Sequence, residues 1–245
     1  SSAASDVYKR QDMDYGIGGG APSRRMPVYL LLDTSGSMHG DPIEAVNQGV
    51  GILVTELNNQ PEAYELVWLS VITFDTSARQ IVPLTELSKF VPPTLSASGS
   101  TAMGEAFRVL SDALEREIIA RTTDVTQKGD YKPLVFLLTD GEPTDDYQAG
   151  LRVLRSRTSK KAANIIALGC GSGVNVDKLK EITENVLLMP TVTSDNIKKY
   201  FRWVSQSVKT ASKVAGMAAS AGATDKGRST PTPLPPAPPG FDIVF

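Results

Sequence analysis

The sequence has little of the chemistry on which several protein classes depend. Its 245 residues include one cysteine, Cys170, and one histidine, His39. A single cysteine excludes an internal disulfide framework and fits a reducing compartment. No apolar run approaches the roughly 20 residues of a transmembrane helix. The formal net charge of −2 lacks the cationic surplus that nucleic-acid binding needs. We therefore expect a cytoplasmic protein that binds neither membranes nor nucleic acids.

Composition along the chain predicts one globular domain between two tails. Residues 1–25 lack any apolar periodicity, so they are predicted to be a disordered leader, without the apolar segment of a signal peptide. Residues 1–11 resemble translated sequencing-adapter sequence more than natural protein, which makes Met13 and Met26 both candidates for the native start. The strand and helix patterns occupy residues 26–212.

The remaining segment, residues 213–245, is predicted to be a flexible tail. It passes from Ala, Ser and Gly into the proline-rich residues 230–239 and then into the apolar residues 241–245. Proline-rich segments are stiff before they bind, so they often act as ligands for other proteins. An inert spacer is the alternative. The apolar end favours docking, either in cis onto this domain or in trans onto a partner.

Short apolar runs alternate with helical periodicities through the domain. Residues 28–32 are too few for a typical helix and predict a strand covered on both faces of a parallel sheet. The tight turn at residues 75–77 predicts a hairpin and therefore an antiparallel edge strand. The predicted strands are residues 28–32, 65–74, 78–82, 134–139, 164–168 and 186–189. Their order implies an α/β fold: a doubly wound, Rossmann-like, mostly parallel six-stranded sheet with one antiparallel edge strand and helices on both faces.

Helix signals fall between these strands. Asp41 is predicted to cap the first helix, with Pro42 at its first position, and this helix is expected to direct its positive dipole end toward Asp33. Further helices are predicted at residues 103–121, 145–161 and 176–183, and from residue 196 onward.

Three loops carry candidate metal ligands. Asp33 follows the first strand, with Ser35 and Ser37 at alternating positions after it. Thr101 lies in a loop of small residues that opens a helix, and Asp140 follows another buried strand. Ligand sites of parallel sheets lie at the carboxyl ends of strands. Hard oxygen donors suit Mg²⁺, Mn²⁺ or Ca²⁺ rather than zinc or copper.

Each residue alone has a simpler interpretation. The Asp33 loop fits a capped turn between a strand and a helix, and Thr101 fits a helix N-cap. Asp75 also follows a predicted strand, but it has no Ser-x-Ser after it and is predicted to be a turn residue.

Taken together, the three loops resemble the von Willebrand factor A (vWA) family and its metal-ion-dependent adhesion site (MIDAS). The family pattern is Asp-x-Ser-x-Ser, a distant Thr, and an Asp before Gly, and it is matched at Asp33, Ser35, Ser37, Thr101 and Asp140. Residues 27–38 and 69–75, and the proline-rich tail that ends in residues 243–245, carry a further resemblance. Through them residues 26–212 resemble the TerY-like branch, which is associated with tellurium resistance. That resemblance implies a bacterial tellurite or stress-response system with phosphatase-like and kinase-like partner proteins.

The resemblance implies a protein–protein interaction module. In the family the hydroxyls can bind the metal directly, while one or both aspartates act through water and orient it. A site of mostly neutral ligands leaves the metal an open position that an acidic residue of a partner can fill.

An enzyme is the alternative from another class. It would be a metal-assisted hydrolase or a phosphatase-like enzyme that uses Asp33 and bound Mg²⁺. Phosphatases of the dehalogenase type need a second acid where Ser35 stands. His39 is too close in the chain to the two serines to be assumed their base, and the sequence indicates no other. We therefore expect a binding module without catalytic residues.

Overall fold

The computed structural model describes residues 24–120, 129–156, 163–220 and 234–244. Residues 1–23 of the predicted leader and residues 221–233 of the predicted flexible tail lie outside this description. None of the helices in these ranges is long and apolar enough to cross a membrane.

Across the described ranges, seven strands form one mixed sheet in the order β3-β2-β1-β4-β5-β6-β7. The strands β1, β2, β4, β5 and β6 run parallel, whereas β3 and β7 pair antiparallel at the two edges. The strand bounds are β1 Met26–Asp33, β2 Val67–Phe74, β3 Ala78–Glu86, β4 Leu134–Thr139, β5 Asn164–Cys170, β6 Val186–Met189 and β7 Asp242–Val244. The helix bounds are α1 Asp41–Asn58, α2 Pro61–Leu66, α3 Met103–Glu117, α4 Tyr147–Arg155, α5 Val176–Ile182 and α6 Ser194–Ser220.

The predicted doubly wound, mostly parallel α/β fold is confirmed, with two differences in detail. The sheet has seven strands rather than six, and two antiparallel edges rather than one, because Asp242–Val244 forms β7. Three residues after a proline-rich stretch carry no periodic signal, and they become a strand only by pairing with β6. The strand predicted at residues 65–74 begins at Val67, since Pro61 starts the short helix α2.

The sheet separates two apolar layers, and β1 contributes to both. Every residue of β1 is buried. Its alternate side chains, such as Leu30 and Leu31, enter opposite layers, as the two-residue period of a strand requires. Helices α1 and α6 cover one face, while α3, α4 and α5 cover the other. Strand β1 is thereby fixed from both sides, and so is the loop that follows it.

A polar clasp holds the amino-terminal end of β1, opposite the candidate ligands. The Arg25 guanidinium donates to both carboxylate oxygens of Asp130, at 2.9 and 2.6 Å, and to the Glu117 carbonyl at 2.7 Å. Asp130 also accepts from the Ile119 N–H at 2.8 Å. The Tyr29 hydroxyl donates to the Glu117 carboxylate at 3.0 Å. The clasp ties the start of β1 to the end of α3.

A glycine permits the close crossing of α1 and α6. A Cβ atom on Gly49 would lie 2.1 Å from Cδ2 of Phe201, whose side chain is fully buried. Gly51, in the same helix, has nothing within 4 Å of the equivalent position. We expect Gly49→Ala to lower the free energy of unfolding by about 1–3 kcal/mol, measured by urea denaturation, because the added methyl displaces the Phe201 ring.

Gly51→Ala is the matched control for this prediction. It makes the same change in the same helix, where alanine has the better helix propensity, so we expect it to be neutral or stabilising by up to about 1 kcal/mol. Equal losses of stability in the two variants would contradict the crossing described for α1 and α6.

Candidate metal centre

The carboxylate of Asp33 is buried and held on both oxygens. The Ser35 backbone N–H donates to Oδ1 at 2.9 Å, and the Thr139 hydroxyl donates to Oδ2 at 2.6 Å. Asp33 ends β1 and Thr139 ends the neighbouring parallel strand β4. The two strand ends are thus joined through one carboxylate. Thr139 was missed by sequence reasoning, although its place directly before Asp140 is a signal that could have indicated it.

The hydroxyls of Ser35 and Ser37 extend this arrangement to Asp140. The two serine Oγ atoms lie 3.1 Å apart, and the Ser37 hydroxyl donates to Oδ1 of Asp140 at 2.7 Å. Residues separated by more than a hundred positions meet here because β1 and β4 are parallel neighbours. Four of the five predicted ligands therefore form one connected group.

Thr101, the fifth predicted ligand, lies against the loop that follows β4. Its Oγ1 is 3.5 Å from the position that a Cβ on Gly141 would take, next to Asp140. The Thr101 N–H donates to the Thr144 hydroxyl at 3.1 Å, and the Thr144 N–H donates to the Thr101 carbonyl at 2.9 Å. This reciprocal pair fixes Thr101 beside the carboxyl end of β4.

The loop that carries Thr101 is also bound to the Asp33 loop. The Gly36 N–H donates to the Gly99 carbonyl at 3.0 Å, and the Ser98 N–H donates to the Thr34 carbonyl at 2.8 Å. Gly99 has φ +75°, and a Cβ there would lie 2.2 Å from Oγ1 of Thr76. Glycine is therefore required at this close approach of loops. The three ligand-bearing loops form one backbone assembly.

Asp75 forms a turn, as its sequence context suggested. Its Oδ1 accepts from the Ser77 N–H at 3.1 Å, and its carbonyl accepts from the Ala102 N–H at 2.8 Å. The carboxylate also lies 3.8 Å from Arg79. Asp75 thus supports the Thr101 loop through its backbone, while its side chain is occupied locally.

Asp145 is a positioning residue that sequence reasoning placed in the wrong role. It was predicted to begin a helix, but α4 starts at Tyr147 and is capped by Asp146, whose Oδ1 accepts from the Ala149 N–H. Asp145 instead accepts from the N–H groups of Gly104 and Glu105, both at 2.9 Å, and so caps α3. Two adjacent acids before a helix do not reveal which helix each one caps.

The predicted cap of α1 is also displaced by one residue. Gly40, with φ +82°, occupies the N-cap without a side-chain hydrogen bond, and Asp41 is the first helical residue. Pro42 stands within the first turn, where a missing N–H costs nothing. Asp41 therefore contributes through its charge near the helix start rather than as a capping acceptor.

Burial opposes the charged form of both acids at the site. Burial raises the pKa of Asp33, and the nearby charge of Asp140 raises it further, against the lowering effect of the hydrogen bonds from Ser35 and Thr139. Burial likewise raises the pKa of Asp140, against the hydrogen bond from Ser37. A divalent cation would compensate both carboxylates.

The donor set fits a hard cation. In the part of the chain that the structure describes, no three His, Cys, Asp or Glu side chains form a metal cluster, so ligation here would combine two carboxylates with hydroxyls. Cys170 ends β5 near these acids. Burial raises the pKa of its thiol, and the charges of Asp140 and Asp33 add to the effect. Both effects disfavour the thiolate, which is the form of cysteine that binds metals.

The chain matches an established protein family. The model of the von Willebrand factor type A domain matches residues 28–201, which is more than half of the chain and includes all five candidate ligands. A curated relative, the uncharacterized protein sll0103 of Synechocystis sp., is 29% identical over 168 residues, 65% of this chain and 36% of that protein.

Solved structures share the fold at low identity. The von Willebrand factor type A protein from Catenulispora acidiphila has a TM-score of 0.57 and 16% identity, covering 77% of this chain and 43% of that one. Proximal thread matrix protein 1 from the mussel byssus, with a zinc-occupied MIDAS motif, has a TM-score of 0.53 and 22% identity, covering 78% and 46%. This chain spans about a third of the Synechocystis protein and less than half of these two.

We expect Mg²⁺ or Mn²⁺ to raise the melting temperature of the wild-type protein in a thermal-shift assay. A cation at about 100 times its Kd adds about 2.7 kcal/mol, or about 5–10 °C for a chain of this size. Asp140→Asn and Thr101→Val should abolish the shift, because the first removes a negative charge beside the cation and the second removes a hydroxyl ligand, each with little change in volume. Asp75→Asn, a change at the end of the adjacent strand, is the control and should keep it. A shift retained in Asp140→Asn and Thr101→Val would place the cation elsewhere.

We expect Asp145→Ala to weaken Mn²⁺ binding roughly 10-fold, measured by titration calorimetry, although Asp145 is not a candidate ligand. The change frees two N–H groups of α3 and loosens the loop that carries Thr101. Asp146→Ala is the matched control, because it removes the cap of α4 at a similar cost of about 1 kcal/mol and leaves α3 capped. The same loss of affinity in both variants would rule out the positioning role.

Proposed function

The chain belongs to the von Willebrand factor type A domain family, and from that premise we propose that it is a metal-dependent protein–protein interaction module. The observation that carries this proposal is the hydrogen-bonded group that joins Ser35, Ser37 and Asp140 across two neighbouring strand ends. These oxygens converge at the place where a parallel sheet binds its ligands.

The proposed ligands have different roles. The hydroxyls of Ser35, Ser37 and Thr101 would contact the cation, while Asp33 and Asp140 would balance its charge and orient bound water. Asp33 is suited to this because its two oxygens are already held by Ser35 and Thr139. The bound cation would supply a Lewis-acidic position for a carboxylate from outside the chain.

The exposure of the site supports a macromolecular partner. Asp33, Ser35 and Thr101 are buried, whereas Gly36 and Ser37 are exposed. The site is thus reached from the side of the Ser37 loop. We propose that a Glu or Asp of a partner protein completes the metal sphere there.

We propose Mg²⁺ or Mn²⁺ as the cation, with Ca²⁺ compatible with the same oxygens. Zinc belongs in the comparison too, because the mussel byssus protein was solved with zinc in its MIDAS motif. The resemblance to TerY-like proteins supports a cytoplasmic role in a bacterial tellurite or stress-response system, with phosphatase-like and kinase-like proteins as partners. The proline-rich tail is a second candidate contact.

The test is a pull-down from bacterial lysate with the full chain immobilised, in Mg²⁺ or Mn²⁺ and in EDTA. We expect a partner that is retained only with the cation and is lost roughly 100-fold in the double variant Asp33→Ala, Ser35→Ala. Asp75→Asn is the control and should retain it. Replacing the captured partner's contacting Glu or Asp by Gln or Asn should release it, because an amide does not offer the cation a negative charge.

Hydrolysis of p-nitrophenyl phosphate is assayed alongside with the same variants. Cation-dependent turnover that the double variant loses, without any cation-dependent partner, would overturn the binding proposal in favour of a metal-assisted phosphatase. Capture that is unaffected by EDTA and by the double variant would exclude the metal as part of the interface.

A further inference from the structure

Residues 234–244 lie against the domain through contacts of three kinds. The first involves Trp203 on α6, which is only 6% exposed. Its indole N–H donates to the carbonyls of Pro235 and Pro236, at 3.1 and 3.0 Å. Leu234 and Ala237 pack against the same apolar layer. A buried aromatic donor that faces proline carbonyls is a known way to bind a proline-rich peptide.

The second contact is an aromatic anchor set by a turn. The Phe241 N–H donates to the Pro238 carbonyl at 3.1 Å, and Gly240 has φ +88°. Pro239 followed by glycine in this conformation is the sequence of a type II turn. The turn directs the Phe241 side chain into the layer shared with α1 and α6, where it is 7% exposed.

The third contact is strand addition. Strand β7 pairs antiparallel with β6, with Val244 opposite Val186 and Asp242 opposite Leu188. Strand β6 would otherwise end the sheet with unpaired backbone groups. We call the surface formed by Trp203, the apolar layer of α1 and α6 that receives Phe241, and the outer edge of β6 the tail groove.

We propose that the tail groove is a peptide-binding site and that residues 234–244 are its resident ligand, bound in cis. Polyproline docking on an aromatic donor and strand addition to a sheet edge are both modes by which proteins bind separate peptides. The ligand chemistry is a proline-rich segment, a Pro-Gly turn, one aromatic anchor and a short extended end.

The connection to the domain supports an exchangeable ligand. Residues 221–233 join α6 to the segment, and their sequence contains eight Gly, Ala, Ser or Thr residues, two prolines, three charged residues and no large apolar residue. A covalent connection raises the effective concentration of a ligand at its site, to about a millimolar for short linkers. A separate peptide of the same sequence would then bind only after the covalent connection of the resident segment is cut. This proposal does not depend on the metal site.

The experiment uses the full chain with a sequence-specific protease site placed within residues 221–233. After cleavage, a fluorescein-labelled synthetic peptide of residues 232–245 is titrated and followed by anisotropy. We expect the labelled peptide to exchange with the cleaved segment and to compete with unlabelled peptide, and we expect no binding to the uncleaved chain at the same concentrations. Circular dichroism checks that the cleaved domain remains folded.

Substitutions then test the first two contacts separately. Phe241→Ala in the peptide should weaken binding at least about 50-fold, because it removes a buried aromatic side chain. Trp203→Phe in the protein should weaken it about 5–10-fold, because the N–H donor is lost while a smaller aromatic ring remains. Ile243→Ala is the matched control, since Ile243 is 46% exposed, and it should stay within about threefold of the original peptide.

Three results would overturn the proposal. One is a folded, cleaved domain that neither releases its segment nor binds the labelled peptide, which would make the segment a fixed part of the fold. Another is unfolding of the domain when the segment is washed away. The third is a dimer of the uncleaved chain, measured by light scattering, that the substitution Phe241→Ala dissociates. That result would mean that the groove binds the tail of a second copy.

Discussion

The carboxylate of Asp33 is the constraint on which the rest of the site depends. A fully buried charge is costly unless it is hydrogen-bonded and compensated. Here Ser35 and Thr139 each donate a hydrogen bond to one oxygen of the carboxylate. Because Thr139 ends β4 and Asp33 ends β1, the carboxylate also holds these two strand ends together. If the loop after β1 moved far, the buried carboxylate would lose the hydrogen bond from Ser35. The position of the serine hydroxyls follows from that restriction.

Helix packing on one face supports the same geometry from a distance. A Cβ on Gly150 would lie 2.1 Å from the carbonyl of Gly104, so α3 and α4 cross with their backbones nearly in contact. The crossing brings Asp145 to the first turn of α3 and sets the Thr101 loop beside Gly141. Two glycines without any chemical role thus determine where a candidate ligand lies. A side chain at Gly104 or Gly150 would push α3 and α4 apart and move the Thr101 loop away from Gly141.

The sequence was most informative where the signal is local. Asp33 and Asp140 each end an apolar run, and the parallel order of such runs already implies that their ends meet. Asp145 could not be assigned, because its partners on α3 lie about forty positions away and no periodicity connects them. Strand β7 was missed for a similar reason, since three residues carry no pattern and only the partner strand β6 makes them a strand. Long-range pairing, not propensity, decided both cases.

The pairing of β7 with β6 has a practical consequence for handling this domain. A fragment trimmed after α6 would keep every candidate metal ligand and most of the core, yet it would present the bare edge of β6 beside an uncovered Trp203. Bare edges next to apolar surface recruit other chains and seed aggregation. Poor solubility of such a fragment would then reflect a missing cover rather than a misfolded domain. The end of the segment that composition predicts to be a flexible tail is the part that shields this side of the molecule.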